Sequence, residues 1–181
     1  MRILAQPLSL EDFSALPETT APTEVVDGQL VVNAAPGGPH QLIVGELVAV
    51  LHAACPPGHH VVPGPFDWVL RTEPALLVRQ PDVLVVAGEQ LRGARISRPP
   101  LLAIEIISPG SFERDVVVKR AEYARAGLRH YWIVDPEGPG IVVYRAVDGA
   151  LAEHRRAVGD EVLDVTEPFA VSLRPVDLLP G

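Results

Sequence analysis

The sequence predicts a mixed α/β (α+β) fold with a central mixed β-sheet flanked by two main helices. Three observations point there. Short β-rich runs separated by Pro and Gly fill the middle of the chain, and two longer segments carry helical spacing. Apolar residues make up 48% and charged residues 21%, the balance of a packed globule. At 181 residues the chain fits one compact domain, 1–181, with residues 1–22 as an N-terminal arm or short helix.

The elements follow in order. Pro7, Pro17 and Pro22 interrupt the first residues, so a short helix or arm is expected around Ser9 to Leu16. Asp27-Gly28 between Glu24-Val25-Val26 and Leu30-Val31-Val32 signals a tight hairpin. After the Pro36-Gly37-Gly38-Pro39 break, His40 to Ala54 places Ile43, Leu47, Val50 and Ala54 on one helical face, and Pro56-Pro57-Gly58 ends this first main helix. Val61-Val62, Trp68 to Arg71, Leu76 to Val86 and Leu101 to Ile107 read as strands of the central sheet. Ser111 to Ala126 is the second main helix, with Ser111 at the cap position, Asp115 in the first turn and Gly127 where a left-handed cap belongs. Tyr131 to Val134 and Ile141 to Tyr144 are two further strands joined through Asp135-Pro136-Glu137-Gly138, and shorter strands follow.

Cys55 is the single cysteine, so no intrachain disulfide is expected. The start of the chain lacks a secretory pattern, and no apolar run approaches the ~20 residues of a membrane helix. A soluble, cytoplasmic protein is the expectation. A net charge of −8 argues against a broad electrostatic grip on nucleic acid, although acids gathered to hold a cation add to that sum. Arginines cluster at Arg92, Arg95 and Arg98 and again at Arg114, Arg120, Arg125 and Arg129, whereas Lys119 is the chain's only lysine.

Two carboxylates stand out against apolar strands, one at an edge and one in the middle. Asp82 opens Val83-Leu84-Val85-Val86, and Glu105 lies between Leu101-Leu102-Ala103-Ile104 and Ile106-Ile107. Buried acids are costly unless they are paired or bind metal. If the two strands are neighbours, both acids converge on one hard cation, Mg²⁺ or Mn²⁺, which can activate water and stabilise phosphoryl chemistry. The competing view has Asp82 capping a turn and Glu105 facing solvent. Two residues after Glu105, on the same side of the pleat, stands Ile107 rather than a lysine. The ammonium would then come from the second helix, where Asp115, Lys119 and Tyr123 form one stripe. The competing view is a surface i, i+4 pair worth ~0.3–0.5 kcal/mol. Unlike a guanidinium, a compact ammonium can orient a water.

Several stretches together carry a family resemblance: Glu24 to Gly28, His40, Pro81-Asp82-Val83-Leu84-Val85-Val86, Ile104-Glu105-Ile106-Ile107-Ser108-Pro109, Asp115 with Lys119 and Tyr123, and Gly127 to Pro136. In order and spacing they resemble the bacterial Uma-type restriction endonuclease family of the PD-(D/E)XK superfamily, from about residue 20 to 145. The resemblance implies a restriction-endonuclease-like fold, metal-holding acids at Asp82 and Glu105, and a lysine moved from the strand to the helix at Lys119. It also implies a glutamate from the first helix as an assisting acid. Glu46 is that helix's only carboxylate, and Glu24 in the hairpin is the alternative. His40 could position a phosphate or a water, or simply cap its helix.

His52, Cys55, His59 and His60 are zinc ligands by residue type, but their spacing does not build a tetrahedral set. Trp68, Trp132 and Tyr131 read as packing. The expected function is metal-dependent endonucleolytic hydrolysis of DNA, by a homodimer if both strands of a duplex are cut. The alternative is a catalytically inactive nuclease-fold module that binds nucleic acid or protein.

Overall fold

A computed structural model describes residues 6–17, 19, 21–108 and 110–179. The first five residues of the expected arm, and Pro109, lie outside the described residues. Within the arm, α1 (Leu10–Ser14) begins at a reciprocal cap: Asp12 N–H donates to Ser9 Oγ at 3.1 Å, and Ser9 N–H donates to Asp12 Oδ2 at 3.0 Å. The hairpin follows as β1 (Thr23–Val26) and β2 (Gln29–Val32). Its turn has positive φ at both Asp27 and Gly28, which gives a tight connection the twist of the flanking strands.

The first main helix, α2 (Gly38–Ala54), runs as expected, but its buried stripe is Ile43, Val44, Leu47 and Leu51. Val50 and Ala54 are only partly covered. The stripe is turned from the expected face because C-terminal residues such as Val171, Leu173 and Leu178 pack into the same cluster as the sheet.

β3 (His59–Pro63) and β4 (Asp67–Arg71) come next. The single strand expected over Leu76 to Val86 is two strands, β5 (Leu77–Arg79) and β6 (Val83–Ala87), and they lie in different sheets. Pro81 has no N–H to offer a ladder, so the chain crosses from one sheet to the other there. Gly64 N–H donates to the Asp82 carbonyl at 2.8 Å and fixes the crossing. Asp82 therefore sits at a seam rather than inside a continuous strand.

After β7 (Arg95–Ile96) and β8 (Leu102–Ile106), the second main helix begins at residue 112, passes through a π-helical segment, Arg114–Lys119, and continues as α3 (Arg120–Arg125). Ser111 does not cap it through its side chain: Ser111 Oγ accepts the Ser108 N–H at 2.9 Å. At the other end Gly127 has φ +87°. Leu128 N–H reaches the Tyr123 carbonyl at 2.9 Å and Gly127 N–H the Ala124 carbonyl at 3.0 Å, the Schellman arrangement expected of a left-handed glycine. The remaining strands are β9 (His130–Asp135), β10 (Gly140–Val147), β11 (Ala150–Val158), β12 (Leu163–Val165) and β13 (Val171–Leu173).

Six strands form a mixed sheet in the order β11-β10-β9-β8-β6-β3, with β8 and β9 parallel and the other neighbours antiparallel. A second sheet, unexpected from the sequence, has the order β2-β1-β5-β4-β7, and β12 pairs with β13. In the six-stranded sheet, Val83, Val85, Leu102, Ile104 and Ile106 pack with α2, while Leu84, Val86, Ala103 and Ile133 pack with Tyr123 of α3. Side chains alternate between faces along a strand, so Glu105 falls on the α3 side. No helix among the described residues is long and apolar enough to cross a membrane.

Candidate active site

Val83 pairs with Ile104 across β6 and β8, so Asp82, one residue earlier, lies beside the Glu105 end of β8. Asp82 Oδ2 accepts the Ile106 N–H at 2.8 Å and lies 3.3 Å from His40 Nε2 at the start of α2. Glu105, 3% exposed, is held at both oxygens: Tyr123 Oη donates to Oε1 at 2.6 Å and Lys119 Nζ to Oε2 at 2.8 Å. Tyr123 is fixed in turn by stacking on Trp68 at 5.0 Å and by edge-on contact with Tyr131 at 5.3 Å. Trp68, Tyr131 and Trp132 are buried packing residues.

The helical stripe turns inward. Lys119, 5% exposed, sits 3.4 Å from Asp115 Oδ1 and 3.8 Å from Glu24 Oε1 in addition to its contact with Glu105. It is not a surface lysine. π-helical turns widen a helix locally and recur at functional sites, and this one carries both Asp115 and Lys119.

Glu24, Asp82, Glu105, Asp115, Lys119 and His40 line one cavity of about 350 Å³. Of the two assisting acids considered, Glu24 reaches this cavity from β1. Glu46 lies exposed on α2 and is not among the lining residues. The signal that placed Glu46 was helix membership; the signal for Glu24 was its place in the hairpin motif.

Sequence reasoning missed Arg79, a buried residue of β5. Its Nη1 donates to Glu24 Oε2 at 3.0 Å, and its Nε and Nη2 grip both oxygens of Glu122 at 2.8 and 2.9 Å. The available signal was weaker than the one that revealed Glu105: a charge that closes the apolar run Leu76-Leu77-Val78 just before Pro81. Arg114, Asn33 and Gln80 also line the cavity and were not singled out as site residues.

The electrostatics follow from crowding acids around few cations. Burial pushes the Glu105 carboxyl up, Lys119 opposes this, and the Asp82 and Asp115 carboxylates add to the rise, to about 8. Burial works against the Lys119 ammonium, but Glu105, Glu24 and Asp115 outweigh it and hold its pKa above the ordinary lysine value. The two directions share a cause: acids crowd a single ammonium, which keeps its proton, while burial and the neighbouring acids make Glu105 harder to ionise. Burial also disfavours the Glu24 anion, yet Lys119, Arg79 and the Gln80 N–H hold its pKa below the usual glutamate value. The hydrogen bond to Asp82 raises the pKa of His40 against the effect of burial, and the Asp82 and Asp115 charges assist.

A mixed sheet with a helix on each face, and an acid–acid–lysine group where two of its strands end, defines the restriction-endonuclease-like class. The Uma2 family model, described as "Putative restriction endonuclease", matches residues 10–178, and the chain belongs to that family. A crystal structure of "a putative nuclease belonging to DUF820" from Anabaena variabilis superposes with a TM-score of 0.75 at 22% identity, covering 95% of this chain and 97% of that one. That likeness shows the fold. A comparison with curated proteins finds no match.

Proposed function

We propose that this chain is an endonuclease that hydrolyses DNA phosphodiesters with a divalent cation, Mg²⁺ or Mn²⁺, held by Asp82 and Glu105. One observation carries the reading: Glu24, Asp82, Glu105, Asp115 and Lys119, drawn from both sheets and the helical stripe, converge on one cavity. Burying so many charges costs stability, and such clusters gather at functional sites. The family description and that of the structural neighbour both name nucleases.

The donor set suits a hard cation. It is made of oxygen ligands in acid surplus, and Asp115 Oδ1 is buried without a hydrogen-bond partner. Among the described residues no group of three or more His, Cys, Asp or Glu side chains has metal-holding geometry. Mg²⁺ characteristically takes one or two carboxylates and completes its shell with water and phosphate oxygens, and Asp82 and Glu105 supply that number. When bound, the cation would lower the pKa of a water and offset charge on the phosphoryl oxygens.

The chain's own residues divide the remaining work. Both contacts to Asp82 fall on Oδ2, which leaves Oδ1 for a ligand. Lys119 stays an ammonium, so it orients water or balances phosphate charge and does not take a proton. Glu24 supports Lys119 as the assisting acid, and His40, steadied by Asp82, stands where it can meet a phosphate or a water. Titration calorimetry with Mn²⁺ on the parent and Asp82→Asn, beside cleavage of supercoiled, linear and single-stranded DNA with Mg²⁺ or Mn²⁺, tests the reading. Cleavage abolished by chelator, with weaker Mn²⁺ binding in Asp82→Asn, is expected. No cleavage of any substrate, with unchanged Mn²⁺ binding, would leave the inactive-module alternative.

A further inference from the structure

Lys119 stands between two buried glutamates and is hydrogen-bonded to only one. Its Nζ is 2.8 Å from Glu105 Oε2 and 3.8 Å from Glu24 Oε1, with Asp115 Oδ1, one turn back on its own helix, at 3.4 Å. A lone ammonium between comparably buried carboxylates goes to the less compensated one, because charges interact strongly where water is excluded. Glu24 is well compensated. Arg79 donates to its Oε2 at 3.0 Å and the Gln80 N–H to its Oε1 at 3.1 Å. Glu105 has, besides Lys119, only the neutral Tyr123 hydroxyl.

We propose that Arg79 is a positioning residue for Lys119: by satisfying Glu24 it directs the ammonium onto Glu105, toward the Asp82 end of the cavity. The residue type fits. A planar guanidinium can grip Glu122 with two nitrogens and still present a third to Glu24, which a lysine at this position could not do with fixed geometry. Arg79 also links the five-stranded sheet, through β1 and β5, to α3, so the placement of Lys119 depends on how the two sheets meet. The kinetic consequence rests on the nuclease reading; the placement of Lys119 does not.

Because Lys119 is the only lysine, selective labelling of lysine Cε and Nζ gives a single NMR signal from the full chain. In metal-free protein, Arg79→Met should move that signal as the ammonium shifts toward Glu24. Adding Glu24→Gln to Arg79→Met should return it to the parent position, since Glu24 then no longer competes with Glu105. Arg79→Gln, which keeps an amide donor for Glu24, should move it the same way but less, and serves if Arg79→Met does not fold. On DNA with Mg²⁺, Arg79→Gln should lower kcat about tenfold or more and leave KM within about twofold. A Lys119 signal that stays at the parent position in Arg79→Gln, with any loss confined to thermal stability, makes Arg79 a structural tie and overturns the proposal. A parent that cleaves no DNA ends the nuclease reading and leaves the NMR comparison standing.

Discussion

The two faces of the six-stranded sheet share one backbone and differ in chemistry. On the α2 face, Ile104, Ile106, Trp132 and Val134 meet Ile43, Leu47 and Leu51 in a hydrocarbon cluster closed by Val171, Leu173 and Leu178. On the α3 face, the residue between Ile104 and Ile106 is Glu105, and the helix opposite it presents Asp115, Lys119 and Tyr123. Hydrocarbon burial is the dominant favourable term in folding, whereas a buried ion pair seldom improves on apolar residues of the same shape. The α2 face therefore holds the sheet together. The α3 face maintains a costly charged cluster, and the proposed chemistry would be the reason to maintain it.

That contrast breaks most sharply at Lys119 and Glu105. Lys119→Met and Glu105→Gln should each lower the DNA cleavage rate by about 10²–10⁴-fold in single-turnover assays. Parent-like cleavage by Lys119→Met would remove the lysine from the chemistry. Lys119→Met also leaves Glu105, Glu24 and Asp115 without their shared cation, so thermal unfolding should show a loss of about 3–5 kcal/mol.

On the other face, Leu47→Ala should cost about 2–5 kcal/mol in denaturant unfolding through the cavity it leaves, with Mn²⁺ affinity unchanged. A shift in metal affinity would show that the two faces are coupled.

The pH dependence separates the faces again. Folding raises the Glu105 pKa from near 4.5 to about 8. Between those values the folded state binds the proton more tightly than the unfolded one. This contribution is fully present below about pH 4.5 and is lost as pH rises through about 8. Metal-free protein should accordingly lose on the order of a few kcal/mol across that window, and Glu105→Gln should flatten that part of the curve. An equally steep curve in Glu105→Gln would assign the dependence to another group. The smallest effect belongs to Glu46→Ala: exposed on α2 and outside the cavity lining, it should change stability by less than about 0.5 kcal/mol and leave cleavage at the parent rate. A loss of cleavage there would bring Glu46 back as the assisting acid.

The sequence by itself determined the features carried by local periodicity. Asp27-Gly28 specified the hairpin turn, Gly127 the helix end, and the spacing of Asp115, Lys119 and Tyr123 the stripe that faces Glu105, because neighbours at i+1 and i+4 are set by the backbone geometry of one element. Asp82 and Glu105 were legible for a related reason: a charge at the edge of or inside an apolar strand must be answered by something, whatever the fold. Only the tertiary structure decided the rest. The split of Leu76 to Val86 between two sheets, the arrival of Glu24 and not Glu46 at the cavity, and the Glu24–Arg79–Glu122 bridge depend on contacts between separate elements, with separations of 55 and 43 in the bridge itself. No repeat within a strand or helix encodes which distant carboxylate a guanidinium will meet. That is settled when the five-stranded sheet docks against the helix and excludes water from between them.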